Sequence, residues 1–347
     1  MTHALVTGAS GFIGGHLVRA LANSGAEITC LVRETSDCSQ LVEFNPRLVY
    51  GDVTDADSLK HALDGIDVVY HLAGATKSLR RRDLERINNE GVRNVALACA
   101  NQSKPPILIH VSSLAAGGPA IAGRPRIESD GTNPVSNYGH SKLAGERAAR
   151  VLADDIPLTI IRPPIVLGEA DRDGLSMFGS IARWNLHMVP GMTAERFSVI
   201  HGDDLAQAMI LASMHGNRAR VDSQCDGVYY VAADETPTYA ELGQMIGRAV
   251  GQEHVHVIRS PKTAVWAIAA VNELASQLRG QPHILGIDKA REATAGSWTC
   301  SDTALRHDTG FAPAYNLQER IEQTALWYTR QGWLRGTIAA AAQQAEV

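Results

Sequence analysis

The sequence predicts an α/β protein: a doubly wound parallel sheet with helices on both faces, followed by a smaller, mostly helical lobe. Three observations carry this. Short strand-like runs alternate with helical patterns through the first half of the chain. Runs such as DVVYHLAG (67–74) and PILIHVSS (106–113) are apolar on both faces, as a sheet covered on both sides requires. A glycine-rich turn joins the first strand to the first helix.

Taken in order, HALVT (3–7) is the first strand. FIGGHLVRALANSG (12–25) places Ile13, Leu17, Val18 and Leu21 in a helical rhythm, with Gly25 at its stop. EITCLV (27–32) and RLVYGD (47–52) are the second and third strands, and DADSLKHALDG (55–65) reads as a short helix with an Asp N-cap. DVVYHLAG is the fourth strand, a long helix fits Asp83 to Asn101, and PILIHVSS is the fifth strand. Another helix fits Asn137 to Ala153, and PLTIIRPP (157–164) is a sixth strand that stops at prolines. Beyond about Gly168 the rhythm loosens. FSVIHGDDLAQAMILAS (197–213) reads as strand then helix, GVYYVA (227–232) as a strand, and the chain from Glu235 onward as mostly helical. The expected division is a dinucleotide-sized sheet domain over 1–168, to which 197–232 returns, a substrate-binding lobe from 169–196 and 233–335, and a low-complexity tail over 336–347.

Composition narrows the function. The chain has 347 residues, 45% of them hydrophobic, and a formal charge of −5. That balance is ordinary for a soluble globular protein and argues against nucleic acid or an anionic membrane as the partner of the molecule as a whole. Cys30, Cys38, Cys99, Cys225 and Cys300 are widely spaced with no C-x-x-C pair, which reads as free thiols in a reducing compartment. Met1 to Thr7 carry no basic targeting segment. The longest apolar run, Thr263 to Val271, is well short of the ~20 residues of a membrane span. A soluble cytoplasmic protein without a membrane span is the expectation.

Two motifs carry chemistry. VTGASGFIGGH holds Gly8, Gly11 and Gly14 between a strand and a helix. Glycines there allow a tight turn and close backbone approach, and the helix N-terminus offers N–H groups to a pyrophosphate. YGHSK puts Tyr138 and Lys142 four residues apart, on one helix face, after a strand that ends in Ser112 and Ser113. A tyrosine hydroxyl, with an ordinary pKa of about 10, must be acidified to exchange a proton at neutral pH. An adjacent ammonium and a cationic nicotinamide both favour the phenolate. With a serine to hold the substrate oxygen, the set is a general acid/base for interconverting a secondary alcohol and a ketone of a small molecule.

These residues resemble the extended short-chain dehydrogenase/reductase superfamily, which includes nucleotide-sugar epimerases and dehydratases, dihydroflavonol-type reductases and 3β-hydroxysteroid dehydrogenases. The resemblance runs over roughly residues 1–335. It implies a Rossmann-like fold with Gly8, Ser10, Gly11, Phe12, Ile13 and Gly14 at the cofactor turn. GDVTD implicates Asp52 and Val53 at the adenine, and HLAG implicates Leu72, Ala73 and Gly74 beside the pyrophosphate and ribose. NNEGVRN brings Asn88 near the cofactor, and IIRPPIVLG brings Pro163 and Ile165 past the nicotinamide. HVSS aligns Ser113, rather than Ser112, with the catalytic serine beside Tyr138 and Lys142, the lysine also meeting the nicotinamide ribose. RFSVIHGDDLA (196–206) matches a further family segment, with Gly202 in place of the usual Val. Thr76, Ser113 and Arg196 are expected on the substrate side. Relatives of this kind often dimerise through the two helices that precede and contain Tyr138, which leaves a homodimer open.

Arg33 bears on the cofactor. It lies 19 residues after Gly14, where an acid in NAD-preferring members accepts bonds from the ribose hydroxyls. An Arg there suits the 2′-phosphate of NADP(H). The alternative is NAD(H), with Glu34 turned in to the ribose. NADP(H) fits a net oxidoreductase. Tightly held NAD fits the rival reading, a UDP-sugar 4-epimerase or dehydratase, which Arg196 would serve by binding the substrate diphosphate. Otherwise Arg196 makes an ion pair beneath the lobe. His201 and Asp203 read as braces of a strand–helix turn rather than substrate contacts, and RRRDLER (80–86) as a solvated helix start rather than a cationic stretch steering an anionic substrate. TAVWAIAAV (263–271), with Trp266, is either the lining of an apolar pocket or a core helix of the lobe. The histidines and acids show no metal-ligand spacing, so no metal is expected.

Overall fold

The structure is a computed structural model that describes residues 2–121, 123–280 and 286–334. The expected tail over 336–347 lies outside the described residues. Its centre is a Rossmann-like sheet of parallel strands: β1 (His3–Thr7), β2 (Glu27–Val32), β3 (Arg47–Tyr50), β4 (Val68–His71), β5 (Ile107–Val111) and β6 (Leu158–Arg162). β7 (Ile165–Leu167), β8 (Leu186–Pro190), β9 (Val199–His201), β10 (Val228–Tyr230) and β11 (His256–Ser260) follow. The sheet order is β10-β6-β5-β4-β1-β2-β3, so strand order reverses across β1 and β4. GVYYVA thus joins the sheet, through Val228–Tyr230 beside β6.

Alternation sorts the side chains. In β1, Ala4 and Val6 pack on one face, with Leu17 and Val18 of α1 (Phe12–Asn23), while Leu5 packs on the other. Two short helical stretches follow, α2 (Arg81–Glu85) and α3 (Gly91–Ala100), then α4 (Leu114–Gly117) and α5 (Asn137–Arg150). Val92, Val95, Ala96 and Ala149 cover the Leu5 face. The lobe is built from α6 (Arg172–Trp184), α8 (Tyr239–Ala249) and α12 (Leu317–Arg330) around Phe178, Ile246, Ile321 and Tyr328, while α7 (Gly202–His215) covers the sheet. α9 (Lys262–Arg279), α10 (Ile287–Thr294) and α11 (Thr303–Thr309) complete the described helices.

Three sequence expectations are corrected. In 55–65 only Ala56–Leu59 is helical, and it is a 3₁₀ turn, with the Asp55 side chain accepting from the Asp57 N–H at 3.1 Å. The expected long helix over 83–101 is interrupted by a π turn at Arg86–Glu90, which carries Asn88 inward. A side chain with three bonds to make outweighs helix continuity there. TAVWAIAAV is neither a core helix nor an enclosed lining: it lies in α9, where Trp266 is 39% and Val271 67% exposed. Periodicity marks an apolar face but does not say what covers it. Among the described residues no helix is long and apolar enough to cross a membrane.

Candidate active site

The residues expected at the cofactor gather along the C-terminal edge of the central strands. Gly8 has φ +72°, and a Cβ there would lie 2.7 Å from the Ala73 nitrogen. A Cβ on Gly14 would lie 2.7 Å from the Ala9 Cα. The Gly11 N–H closes the turn on the Gly8 carbonyl at 3.0 Å. Only glycine fits the two positions. Ser10, Phe12 and Ile13 stand at the same turn, which opens α1. No side chain caps α1 and no acid stands in its first turn, so its leading N–H groups and dipole suit an anion. The turn therefore fits a dinucleotide pyrophosphate.

Beyond β2, Arg33 is exposed in a turn closed by its carbonyl and the Ser36 N–H at 2.9 Å. Glu34 beside it is also exposed. Asp52 accepts from the Thr54 N–H and hydroxyl, both at 2.8 Å. Partial burial works against the Asp52 charge, but those bonds and the nearby Arg33 and Arg86 lower its pKa on balance. Two guanidinium charges thus act on the carboxylate expected at the adenosine. Val53 is buried, and its carbonyl accepts from Asn94 at 3.0 Å.

Leu72, Ala73 and Gly74 follow β4, and the Ala73 N–H donates to the Thr7 hydroxyl at 3.2 Å. Asn88 spends its amide on protein: it accepts from the Ala75 N–H, and donates to the Ala75 carbonyl and the Ser141 hydroxyl, all within 2.8–2.9 Å. It clamps this loop to α5 from beside Gly74. Pro163 accepts from the Leu114 N–H at 2.8 Å, so the chain before Ile165 borders Ser113.

The two serines at the end of β5 divide. Ser112 is buried and donates to Glu146 at 2.5 Å. Ser113 caps α4, accepting from the Ala115 N–H at 3.1 Å, and its hydroxyl acts on the Tyr138 phenol in the direction that favours the phenolate. Ser113 is therefore the serine that meets the tyrosine. Lys142, one turn along α5, is buried and donates to the Val111 carbonyl at 2.6 Å. Burial brings its pKa down to about 8, against the opposing pull of Glu146. His71 and His110 stack behind it with ring centroids 5.5 Å apart, and burial and the Lys142 charge keep both neutral, His71 at about 3.

Tyr138 itself departs from the sequence expectation. Burial raises its pKa above the ordinary phenol value, and the Ser113 hydroxyl opposes this. The charges that act on it belong to α10: Glu292 raises it and Lys289 lowers it. Asp288 of α10 also accepts from the Asn137 and Tyr138 N–H groups, at 2.6 and 3.1 Å, at the positive end of α5. Ser136 donates to Glu292 at 2.6 Å and caps α5 through Gly139. None of these was visible from spacing, because α10 is about 150 residues further on.

On the substrate side, Thr76 is exposed in the loop after β4, next to Lys77, whose ammonium lies 3.2 Å from Asp173 of α6. Arg196 is exposed and already engaged: it donates to the Thr236 carbonyl at 2.7 Å and lies 3.6 Å from Glu241. His16, Glu169, His201 and Asp203 converge closely enough to ligate a metal, a grouping no sequence spacing revealed. Arg19 stands among them, 2.6 Å from Asp203 and 3.0 Å from Glu169, so a guanidinium already answers the acids. His201 accepts from the Asp203 N–H at 3.2 Å, which braces the β9–α7 turn.

The charge of Lys142 sets a pH expectation. A lysine at about 8 is ammonium below that pH and neutral above it. If the ammonium supports the Tyr138 phenolate, kcat/KM for a reaction that uses this proton falls as pH rises through about 8. Lys142→Arg moves that limb to higher pH. A rate that stays level to pH 10 would remove Lys142 from the proton chemistry.

A model of the NAD dependent epimerase/dehydratase family matches residues 4–232. The chain is 30% identical over 338 residues to a ceramide reductase of Caulobacter vibrioides, covering 96% of this chain and 97% of that protein. It is 24% identical to a 2-alkyl-3-oxoalkanoate reductase of Shewanella oneidensis, over 93% and 85% of the two chains. Its fold is similar to that of a dTDP-glucose 4,6-dehydratase from Streptomyces venezuelae with NAD bound, with a TM-score of 0.74, 19% identity and coverage of 96% and 99%.

Proposed function

The chain belongs to the NAD dependent epimerase/dehydratase family, and from that premise we propose that it is an NADP(H)-dependent oxidoreductase interconverting a secondary alcohol and a ketone on an apolar, lipid-like molecule. The observation that carries the reading is the meeting of Ser113 and Tyr138 one helical turn from Lys142. Its full-length likeness to a protein named as a reductase of a lipid favours a ketone over a sugar nucleotide. So does Arg196, whose guanidinium is held by Thr236 and Glu241 instead of facing an open diphosphate site.

Gly8, Gly11, Gly14 and the start of α1 would hold the pyrophosphate, Asp52 and Val53 the adenine, and Lys142 the nicotinamide ribose. When bound, the nicotinamide supplies or accepts a hydride at the reacting carbon. Tyr138 gives its hydroxyl proton to the substrate oxygen and becomes phenolate. In the opposite direction the phenolate takes that proton back. Ser113 hydrogen-bonds the same oxygen and orients it. The Lys142 ammonium stabilises the phenolate, and Asn88 keeps the Gly74 loop against α5 so that the lysine has one position.

Arg33, with Arg86 adding a second positive charge near Asp52, supports the 2′-phosphate reading. A titration followed by nicotinamide fluorescence tests it. NADPH binds more tightly than NADH, and Arg33→Ala weakens NADPH by about 10- to 100-fold, the loss of charged hydrogen bonds worth roughly 1.5–3 kcal/mol, with NADH little changed. NADPH oxidation on adding long-chain ketones then identifies the substrate class. Bound NAD that resists removal, with turnover of UDP-sugars and no net cofactor change, would overturn the reading in favour of the epimerase.

A further inference from the structure

The two ends of α5 are held by different parts of the molecule. Its rear half is fixed to the sheet. Glu146 is joined to Arg162 of β6, and Arg150 donates to the Ser223 carbonyl at 2.6 Å, in the chain before β10. Its front turn, which carries Tyr138, is held from the lobe. The leading N–H groups of a helix have no partner within it. α8 and α12 satisfy theirs with local capping boxes, Thr238 with Glu241 and Asn316 with Glu319. α5 meets the Gly139 N–H locally, through Ser136 at 2.9 Å. The N–H groups of Asn137 and Tyr138 go to the two oxygens of Asp288, at 2.6 and 3.1 Å.

Asp288 is itself held in place. α9 ties α10 at both ends: Glu273 accepts from the Ile287 N–H at 3.4 Å, and Lys262 donates to the Thr294 carbonyl at 3.1 Å. The Trp298 indole N–H donates to the Glu292 carbonyl at 2.9 Å, while the Glu292 side chain accepts from Ser136 at 2.6 Å. Tyr138 packs on the cluster that contains Leu114, Tyr230 and Trp298. The segment from Asp288 to Trp298 therefore forms a saddle around the start of α5. One carboxylate on two successive N–H groups fixes a direction as well as a distance. One of those two groups is the backbone of Tyr138 itself.

We propose that Asp288 is a positioning residue for Tyr138: through it, α10 seats the front turn of α5, and the phenol keeps its place only while α10 does. The part Tyr138 plays in catalysis rests on the reading above, but its seating by Asp288 does not. A carboxylate that merely tied the lobe to the sheet would make the same bonds and leave the ring where its packing puts it.

The test follows the ring directly. Tyrosine labelled with carbon-13 at Cζ gives eight resonances in the full chain, and the one lost in Tyr138→Phe belongs to Tyr138. In Asp288→Ala that resonance shifts. Its titration midpoint falls toward the ordinary phenol value of about 10, as water reaches a ring whose burial had raised it. Asp288→Asn, which keeps one acceptor oxygen, lies between wild type and alanine. His140 and Lys142 of α5, Lys289, Arg291 and Glu292 of α10, and Tyr239 of α8 are the same in every variant. With NADPH and 2-dodecanone as the probe ketone, kcat falls about 10- to 100-fold in Asp288→Ala, while KM and the NADPH titration stay within about twofold.

A Tyr138 resonance and midpoint that hold their wild-type values in Asp288→Ala overturn the proposal and leave Asp288 as a tie, whatever happens to the unfolding temperature. So does a change spread over the other seven tyrosines. A moved resonance with an unchanged rate overturns it as well. If the alanine variant does not fold, Asp288→Asn carries the same comparison. A wild-type chain that turns over no ketone, while the resonance moves in Asp288→Ala, fails the redox reading and leaves the seating standing.

Discussion

Tyr138→Phe lowers turnover by about 10²–10⁴-fold, the range for removing a positioned proton donor, and leaves cofactor binding in place. The expectation rests on how the ring is held. Its helix start is fixed by the Ser136 cap and by the two backbone bonds to Asp288, none of which involves the hydroxyl. The phenylalanine ring therefore keeps its position at the start of α5, and the variant lacks only the acid. Because burial raises the Tyr138 pKa in the free protein, its proton is secure at neutral pH until charge develops on the substrate oxygen. Loss of kcat with an unchanged NADPH titration identifies the hydroxyl as the proton donor. A variant turning over near the wild-type rate would end that assignment, and a variant that failed to bind NADPH would point to a folding defect, which Ser113→Ala, expected to lose rate with the ring untouched, separates from chemistry.

Much of this site was legible in the sequence, for a physical reason. Parallel strands deliver their C-terminal ends to one edge, so residues just after each strand meet whatever their distance along the chain. Gly8, Arg33, Asp52, Gly74 and Ser113 each follow a strand. The four-residue spacing of Tyr138 and Lys142 needs only a helix. What escaped depends on how the lobe folds back. Asp288, Lys289 and Glu292 reach Tyr138 through tertiary packing, and no local pattern encodes that return. The His16–Glu169–His201–Asp203 cluster escaped likewise, since it is assembled from α1 and residues more than 150 positions later. The outward face of α9 was misread because an apolar stripe looks the same in sequence whether or not protein covers it. The π turn at Asn88 was lost inside a helical rhythm that reads continuously on either side.

The scaffold behind the chemistry makes the second large prediction, on stability. Glu146 of α5 and Arg162 of β6 are each 2% exposed. They are joined by two bonds, from Nε to Oε1 at 2.9 Å and from Nη2 to Oε2 at 2.6 Å. Ser112 adds a third bond to the carboxylate, and Arg162 also donates to the Tyr230 hydroxyl at 3.1 Å. Burial disfavours the Arg162 charge, but Glu146 and Tyr230 more than offset it and raise its pKa. Removing the carboxylate leaves that cation buried without a counter-charge. Glu146→Ala therefore costs about 3–5 kcal/mol of unfolding free energy, read from urea denaturation. The double change Glu146→Leu/Arg162→Met, which leaves no charge behind, recovers most of the loss. A single variant within about 1 kcal/mol of wild type would show that water or a rearranged side chain reaches Arg162. The pair also links the parts that chemistry needs in register: α5 carries Tyr138 and Lys142, and Ser112 ends the strand next to Ser113. Loss of the pair should therefore lower kcat even at temperatures where the variant remains folded, whereas the Leu/Met pair, restoring stability without the bond to Ser112, should recover stability more fully than rate.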